Sequence, residues 1–201
     1  MKKIIIKLMK LIVILLILGI IVLVIDKSYI DKYSNEYDNI SQEDTKIITD
    51  VINLACEKIG LEYVWGGKGE IMTDERLDEL INLYGEAKYP LDREDYIGHQ
   101  AFDCSGLTYY TYREVTGVEI GYSTAHQKEV MKGCKVSMDN LQPGDLIYTP
   151  GHVVMYIGKG RVVNSQSNIK YPIGGVKKNW LINYKNGEVY RPIDYIKDVL
   201  K

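Results

Sequence analysis

The stretch LQPGDLIYTPGHVVMYIGKGRVVNSQ, residues 141–166, limits what the chain can fold into more than any other. Pro143-Gly144-Asp145 and Thr149-Pro150-Gly151 read as turns, so Leu146–Tyr148 between them is a short strand. HVVMYIG and RVVNSQ, joined by the glycine-bounded GKG, read as a β-hairpin. Strands joined this closely make an antiparallel meander, and EVYRPI near the C-terminus predicts one more strand.

The preceding segments have helical character. In SQEDTKIITDVINLACEKIG, Ser41 and Asp44 have capping-box spacing, Ile48, Val51, Ile52, Ala55 and Ile59 share one face, and Gly60 stops the run. A short helix is predicted over Asp74–Tyr84, closed by Gly85, and another over Ser105–Thr116, closed by Gly117. A third starts at Ser123 and ends at Gly133. Helices first and a meander second define an α+β domain over residues 42–201.

Residues 1–25 are different. Leu11 to Ile25 is uninterrupted apolar, about 22 Å of helix, and counting from Ile4 with Lys7 and Lys10 snorkelling reaches the ~30 Å hydrocarbon core. Neither a small-x-small cleavage site nor a lipid-accepting cysteine follows. The expectation is an uncleaved transmembrane signal anchor over 1–25, then a polar linker over 26–41. The lysines before Asp26 all lie N-terminal to the apolar run, which places the remainder outside the cytoplasm of a single-pass membrane protein. Without Lys2, Lys3, Lys7 and Lys10, the 25 basic residues fall to 21 against 27 acidic ones, a net charge near −6. Such a balance excludes a nucleic-acid partner that depends on basic side chains meeting phosphates.

Cysteines stand at 56, 104 and 134, an odd number that leaves a free thiol and a spacing that fits no zinc site, so no metal or other cofactor is expected. Cys56 sits beside a helix face and reads as a small core residue. Cys104, in AFDCSGLTYY, has small and acidic neighbours and looks exposed. At a helix N-terminus with an imidazolium nearby, its pKa would fall from ~8.5 to roughly 3.5–7.5, and Gly106 would keep the first turn open to a substrate. Of the three histidines, His99 lies in irregular chain and His126 on a polar helix, whereas His152 opens an apolar strand where a rigid sheet edge holds it. Hairpin register decides its neighbour: Asn164 if Gly158 is the centre, Gln166 with Asn164 diagonal if the loop is 158–160, serines if the loop has two residues. Either amide orients one ring nitrogen of His152 and leaves the other for Cys104.

YVWGG, FDCSGLTYYTY, LQPGDLIY and GHVVMYIGKGRVVNSQ, in that order, resemble the NlpC-type cell-wall cysteine peptidases, a papain-like α+β family. The resemblance implies Cys104 as nucleophile, His152 as general base and Asn164 as third polar residue. It also implies Tyr63 beside the oxyanion, and Asp103 and Ser105 at the free amine end of a peptidoglycan stem peptide. The implied reaction is hydrolysis of the amide between γ-D-glutamate and the following diamino acid. Two departures stand out. Residues 68–101 intervene where the family has a short connection, as a lid, specificity element or surface for a protein partner. Tyr122 stands where an arginine often precedes the hydroxyl residues, leaving Ser123 or Thr124 to meet substrate. Two rival readings are a Cys-His amidase or acyltransferase on another wall substrate, and an inactive wall-binding or secretion-apparatus component.

Overall fold

The computed structural model describes residues 13–14, 36–167 and 169–201. The expected transmembrane segment, apart from Val13 and Ile14, and the linker up to residue 35 lie outside the described residues. Among the described residues no helix is long and apolar enough to cross a membrane. The chain divides between Asp38 and Asn39, and the second unit, Asn39–Lys201, holds the sheet and the helices packed on it.

Helix α1 (Gln42–Glu57) begins where its cap predicts, with the Ser41 hydroxyl accepting from the Asp44 amide at 3.0 Å. Ile48, Val51, Ile52 and Ala55 are buried against the main core. Helix α2 (Asp74–Tyr84) ends at Gly85 as expected. Helix α3 (Cys104–Thr116) packs on α1 and closes at Gly117, whose φ of 72° is left-handed and suits a residue without Cβ. Helix α4 (Thr124–Val130) is short and capped by Ser123.

Two short strands, β1 (Lys68–Ile71) and β2 (Gln100–Phe102), pair antiparallel and draw the ends of the 68–101 segment together. That segment has a core of its own: Met72, Leu77, Leu80, Tyr89 and Tyr96 pack with Val64 and Ala101. The main sheet comprises β3 (Lys135–Val136), β4 (Leu146–Thr149), β5 (His152–Tyr156), β6 (Arg161–Gln166), β7 (Gly175–Trp180) and β8 (Glu188–Tyr190). It is antiparallel throughout, in the order β3-β8-β4-β5-β6-β7. Val153, Met155, Val163 and Val176 face the helices, whereas Val154, Tyr156 and Val162 face a second cluster with Ile147, Tyr184 and Val189.

After the hairpin, two elements depart from expectation. The predicted strand EVYRPI stops at Tyr190, because Pro192 starts helix α5 (Pro192–Val199), a position where its missing N–H costs nothing. Strand β7 carries consecutive lysines that hide its strand character. It lies at the sheet edge, where lysines discourage pairing with other chains.

The Pro143-Gly144-Asp145 turn is locked from a distance. Asp145, 1 % exposed, accepts from Arg191 Nε at 3.0 Å and Nη2 at 2.9 Å, and from the Gln142 amide at 2.8 Å. Arg191→Ala would leave that carboxylate buried and unpaired. The expected cost is about 3 kcal/mol, read from the urea midpoint against wild type; a change below about 1 kcal/mol would show that the turn holds without the pair.

Candidate active site

Cys104 is the first residue of α3, and Asp103 before it is the helix cap. The Asp103 carboxylate has four donors. Oδ1 accepts from the Gly106 amide at 2.6 Å and the Ser105 hydroxyl at 2.8 Å; Oδ2 accepts from the Gly66 amide at 3.1 Å and Lys68 Nζ at 2.6 Å. One side chain thereby joins the helix start, the double-glycine turn and β1. Gly106 does not keep space for a substrate. A Cβ there would overlap the Gly67 carbonyl oxygen, so the glycine admits the chain's own turn.

Cys104 is 7 % exposed, more enclosed than its small polar neighbours suggest. Helix α3 sets it against the start of β5, where the Val153 backbone hydrogen-bonds to the sulfur. Burial, and next the charge of Asp103, push the thiol up to about 11, although Val153, Ser105 and Lys68 pull it down. The fall expected from a helix N-terminus and a nearby imidazolium does not occur, because desolvation is the largest influence on the thiol and no imidazolium acts on it.

His152 opens β5, half-buried, and its burial lowers the imidazole pKa, so the ring is neutral at pH 7. Its Nε2 is buried without a hydrogen-bond partner among the described residues. Strands β5 and β6 pair Met155 with Val163 and Tyr156 with Val162, and the Ile157 amide donates to the Arg161 carbonyl at 3.0 Å. Of the three registers considered, this is the one with loop 158–160. Continued, it sets Gln166 opposite His152, with Asn164 diagonal to it on the same face. Gln166 Oε1 accepts from Asn179 Nδ2 at 2.8 Å. Asn164 is 1 % exposed; its Nδ2 donates to the Tyr184 hydroxyl at 3.0 Å, and its Oδ1 is buried without a partner among the described residues. The Tyr184 ring lies 6.3 Å from the His152 ring. His99 faces the Asp95 and Gln100 carbonyls at 2.7 and 3.2 Å, and His126 is exposed on α4 beside Tyr122.

A cleft of ≈ 350 Å³ is lined by Cys104, Asp103, Ser105, Tyr63, Ser123 and Thr124, together with Trp65, Lys68, Tyr84 and Tyr122. Of the last four, Tyr122 stands at the arginine's place named from sequence, whereas Trp65, Lys68 and Tyr84 are additions of the structure. A second hollow shares Tyr63, Trp65 and Gly151 with it and adds His152 and Gln166. Nucleophile and histidine thus line two adjoining recesses with a common rim. A larger hollow of ≈ 510 Å³ beside α4 has neither cysteine nor histidine on its wall and lacks this chemistry. Tyr63 is 7 % exposed; burial first, then Cys104 and Asp103, raise its phenol pKa, so it stays protonated and able to donate. Ser123 is occupied as a cap, accepting from the His126 amide at 3.2 Å. Tyr122, in the place of the arginine, donates its hydroxyl to Glu119 at 2.9 Å. Among the described residues no group of three His, Cys, Asp or Glu could hold a metal ion.

The model of the NlpC/P60 family matches residues 60–183. The peptidoglycan DL-endopeptidase CwlO of Bacillus licheniformis is 30 % identical over 103 residues, 49 % of this chain and 23 % of that protein. The gamma-DL-glutamyl hydrolase of Bacillus subtilis is 30 % identical over 88 residues, 40 % of this chain and 21 % of that protein. The chain therefore spans less than a quarter of the length of these two curated relatives. Among solved structures, the peptidoglycan hydrolase RipB from Mycobacterium tuberculosis shares the fold. Its TM-score is 0.52 at 24 % identity, covering 78 % of this chain and 70 % of that one.

Proposed function

The chain belongs to the NlpC/P60 family, and on that premise we propose that it is a cysteine peptidase that hydrolyses peptidoglycan stem peptides at the bond between γ-D-glutamate and the diamino acid. The N-terminal apolar segment would hold it at the outer face of the cell membrane, so that tethering keeps it beside the inner wall.

The observation that carries the catalytic assignment is a pair of complementary orphans. His152 Nε2 and Asn164 Oδ1 are both buried and both lack a partner among the described residues, and they belong to diagonal positions on one sheet face. Brought within hydrogen-bonding distance by a side-chain rotation, a ring N–H at Nε2 would donate to that carbonyl oxygen, fix the tautomer and leave Nδ1 as the basic nitrogen. In this reading Cys104 gives its proton to His152 Nδ1 as the sulfur attacks the carbonyl carbon. The oxyanion accepts from the Tyr63 hydroxyl and the Cys104 backbone N–H, an amide in the first turn of a helix. His152 then protonates the leaving amine and leaves a thioester. It next takes a proton from water, and the hydroxide releases the acid and the free thiol.

The test is mass spectrometry of products from defined stem peptides incubated with the full chain in mild detergent, beside Cys104→Ala. Cleavage after γ-D-glutamate that needs Cys104 supports the reading. Release of another group, or transfer to an added amine, favours the amidase or acyltransferase. Removing one oxyanion donor by Tyr63→Phe is expected to lower kcat by about 10²-fold with little change in KM. A loss under about threefold would take Tyr63 out of the oxyanion site.

A further inference from the structure

We propose that Lys68 sets substrate choice by occupying, with the chain's own ammonium, the Asp103 carboxylate beside the nucleophile, so that the enzyme takes stem peptides whose amine is acylated. This inference rests on the hydrolase reading above.

An ionised carboxylate offers about four lone-pair sites. Those of Asp103 are all filled from within the chain, by the Gly66 and Gly106 amides, the Ser105 hydroxyl and Lys68 Nζ. A substrate ammonium entering the cleft would find no acceptor left at Asp103 and would face the positive charge of Lys68, which lines the same cleft. Lys68 is held in place. It is the first residue of β1, paired with Phe102, and its amide donates to Glu70 Oε2 at 2.6 Å. Its Nζ lies 2.6 Å from Asp103 and 3.2 Å from the Ser105 hydroxyl. An ammonium has three N–H groups. Two have partners here, and the third is available to a carbonyl oxygen such as that of an amide-capped amine. The cleft thus suits a neutral acyl-amide at this position. In wall chemistry that describes a stem peptide still joined through its amine to the polymer, in contrast to a released fragment with a free N-terminus.

The experiment measures kcat/KM of the full chain for one stem peptide in two forms, free α-amine and N-acetyl, with wild type, Lys68→Met and Lys68→Arg. Wild type and Lys68→Arg are expected to favour the acetylated form by about tenfold or more, and Lys68→Met to lose or reverse that order. Wild type favouring the free amine, or a folded Lys68→Met keeping the wild-type ratio within about twofold, would overturn the proposal. If Lys68→Met fails to fold, wild type and Lys68→Arg still decide. Calorimetric titration of both peptides into Cys104→Ala separates this proposal from the hydrolase reading. Cleavage with a free-amine preference sinks the specificity and keeps the enzyme. Tighter binding of the acetylated form without cleavage by wild type does the reverse. Equal or weaker binding of the acetylated form without cleavage sinks both.

Discussion

Cys104→Ala is expected to lower turnover by on the order of 10⁴-fold or more, because no other group can form the thioester. The fold should survive, since the change removes a single sulfur from the rim of the core at a cost of about 1 kcal/mol. The pH dependence of stability provides a sharper check. The thiol is pushed up to about 11 in the folded chain from a reference of 9.0. Above pH 9 the unfolded state loses its proton first, so wild type should lose stability relative to Cys104→Ala as pH rises from 9 towards 11. Urea midpoints at pH 8 and pH 10.5 would show the gap, about 2 kcal/mol. Parallel curves would mean that the thiol is not desolvated and that alanine reports something other than its burial.

His152→Ala is expected to cost about 10²–10⁴-fold in kcat/KM, the usual range for a positioned general base. The direction of its pKa shift makes a finer statement. Burial lowers the imidazole below its reference of 6.5 while the thiol sits near 11, so the resting pair is neutral thiol and neutral imidazole. An ion pair would need the opposite order. The kcat/KM profile should therefore rise on an acid limb whose midpoint lies below pH 6.5 and stay level across neutral pH. Alkylation of Cys104 at pH 7 should be slow and scarcely altered by His152→Ala. Rapid alkylation that His152→Ala abolishes would establish a preformed thiolate and reverse this assignment. Stability follows the same group: as pH falls below 6.5 the unfolded chain takes up the proton first, and the folded state loses ground until the folded pKa is passed.

The fold was legible wherever a local pattern had a single reading. Ser41 with the Ile48–Ala55 face marks α1, and Gly85 marks the end of α2, because caps and helical periodicity are properties of neighbouring residues. The hairpin was legible as an element but not in register. GKG fits several loops, and what selects one is the left-handed conformation of Gly158, Lys159 and Gly160 at φ of 85°, 51° and 63°. The site divides in the same way. His152 could be preferred to His99 and His126 from the element it opens. The burial of Cys104 could not be foreseen, since its neighbour Val153 is remote in sequence. Lys68 and Asp103, 35 positions apart, meet only because β1 pairs with β2. A lysine after two glycines carries no signal of that.

The small core of the 68–101 segment bears on how the enzyme would fail. Val64 is buried in it, between Tyr63 and Trp65 on the cleft wall, and the Tyr89 hydroxyl holds the Trp65 carbonyl at 2.9 Å. Sub-global opening of this cluster, whose buried core is smaller than the one on the six-stranded sheet and so should cost less to expose, would therefore release the tyrosine and tryptophan that shape the rim while the thiol and imidazole stayed seated. Heat would disarm such a molecule before it melted, and a protease or a binding protein acting on this one segment would have a grip on catalysis without ever touching the sulfur.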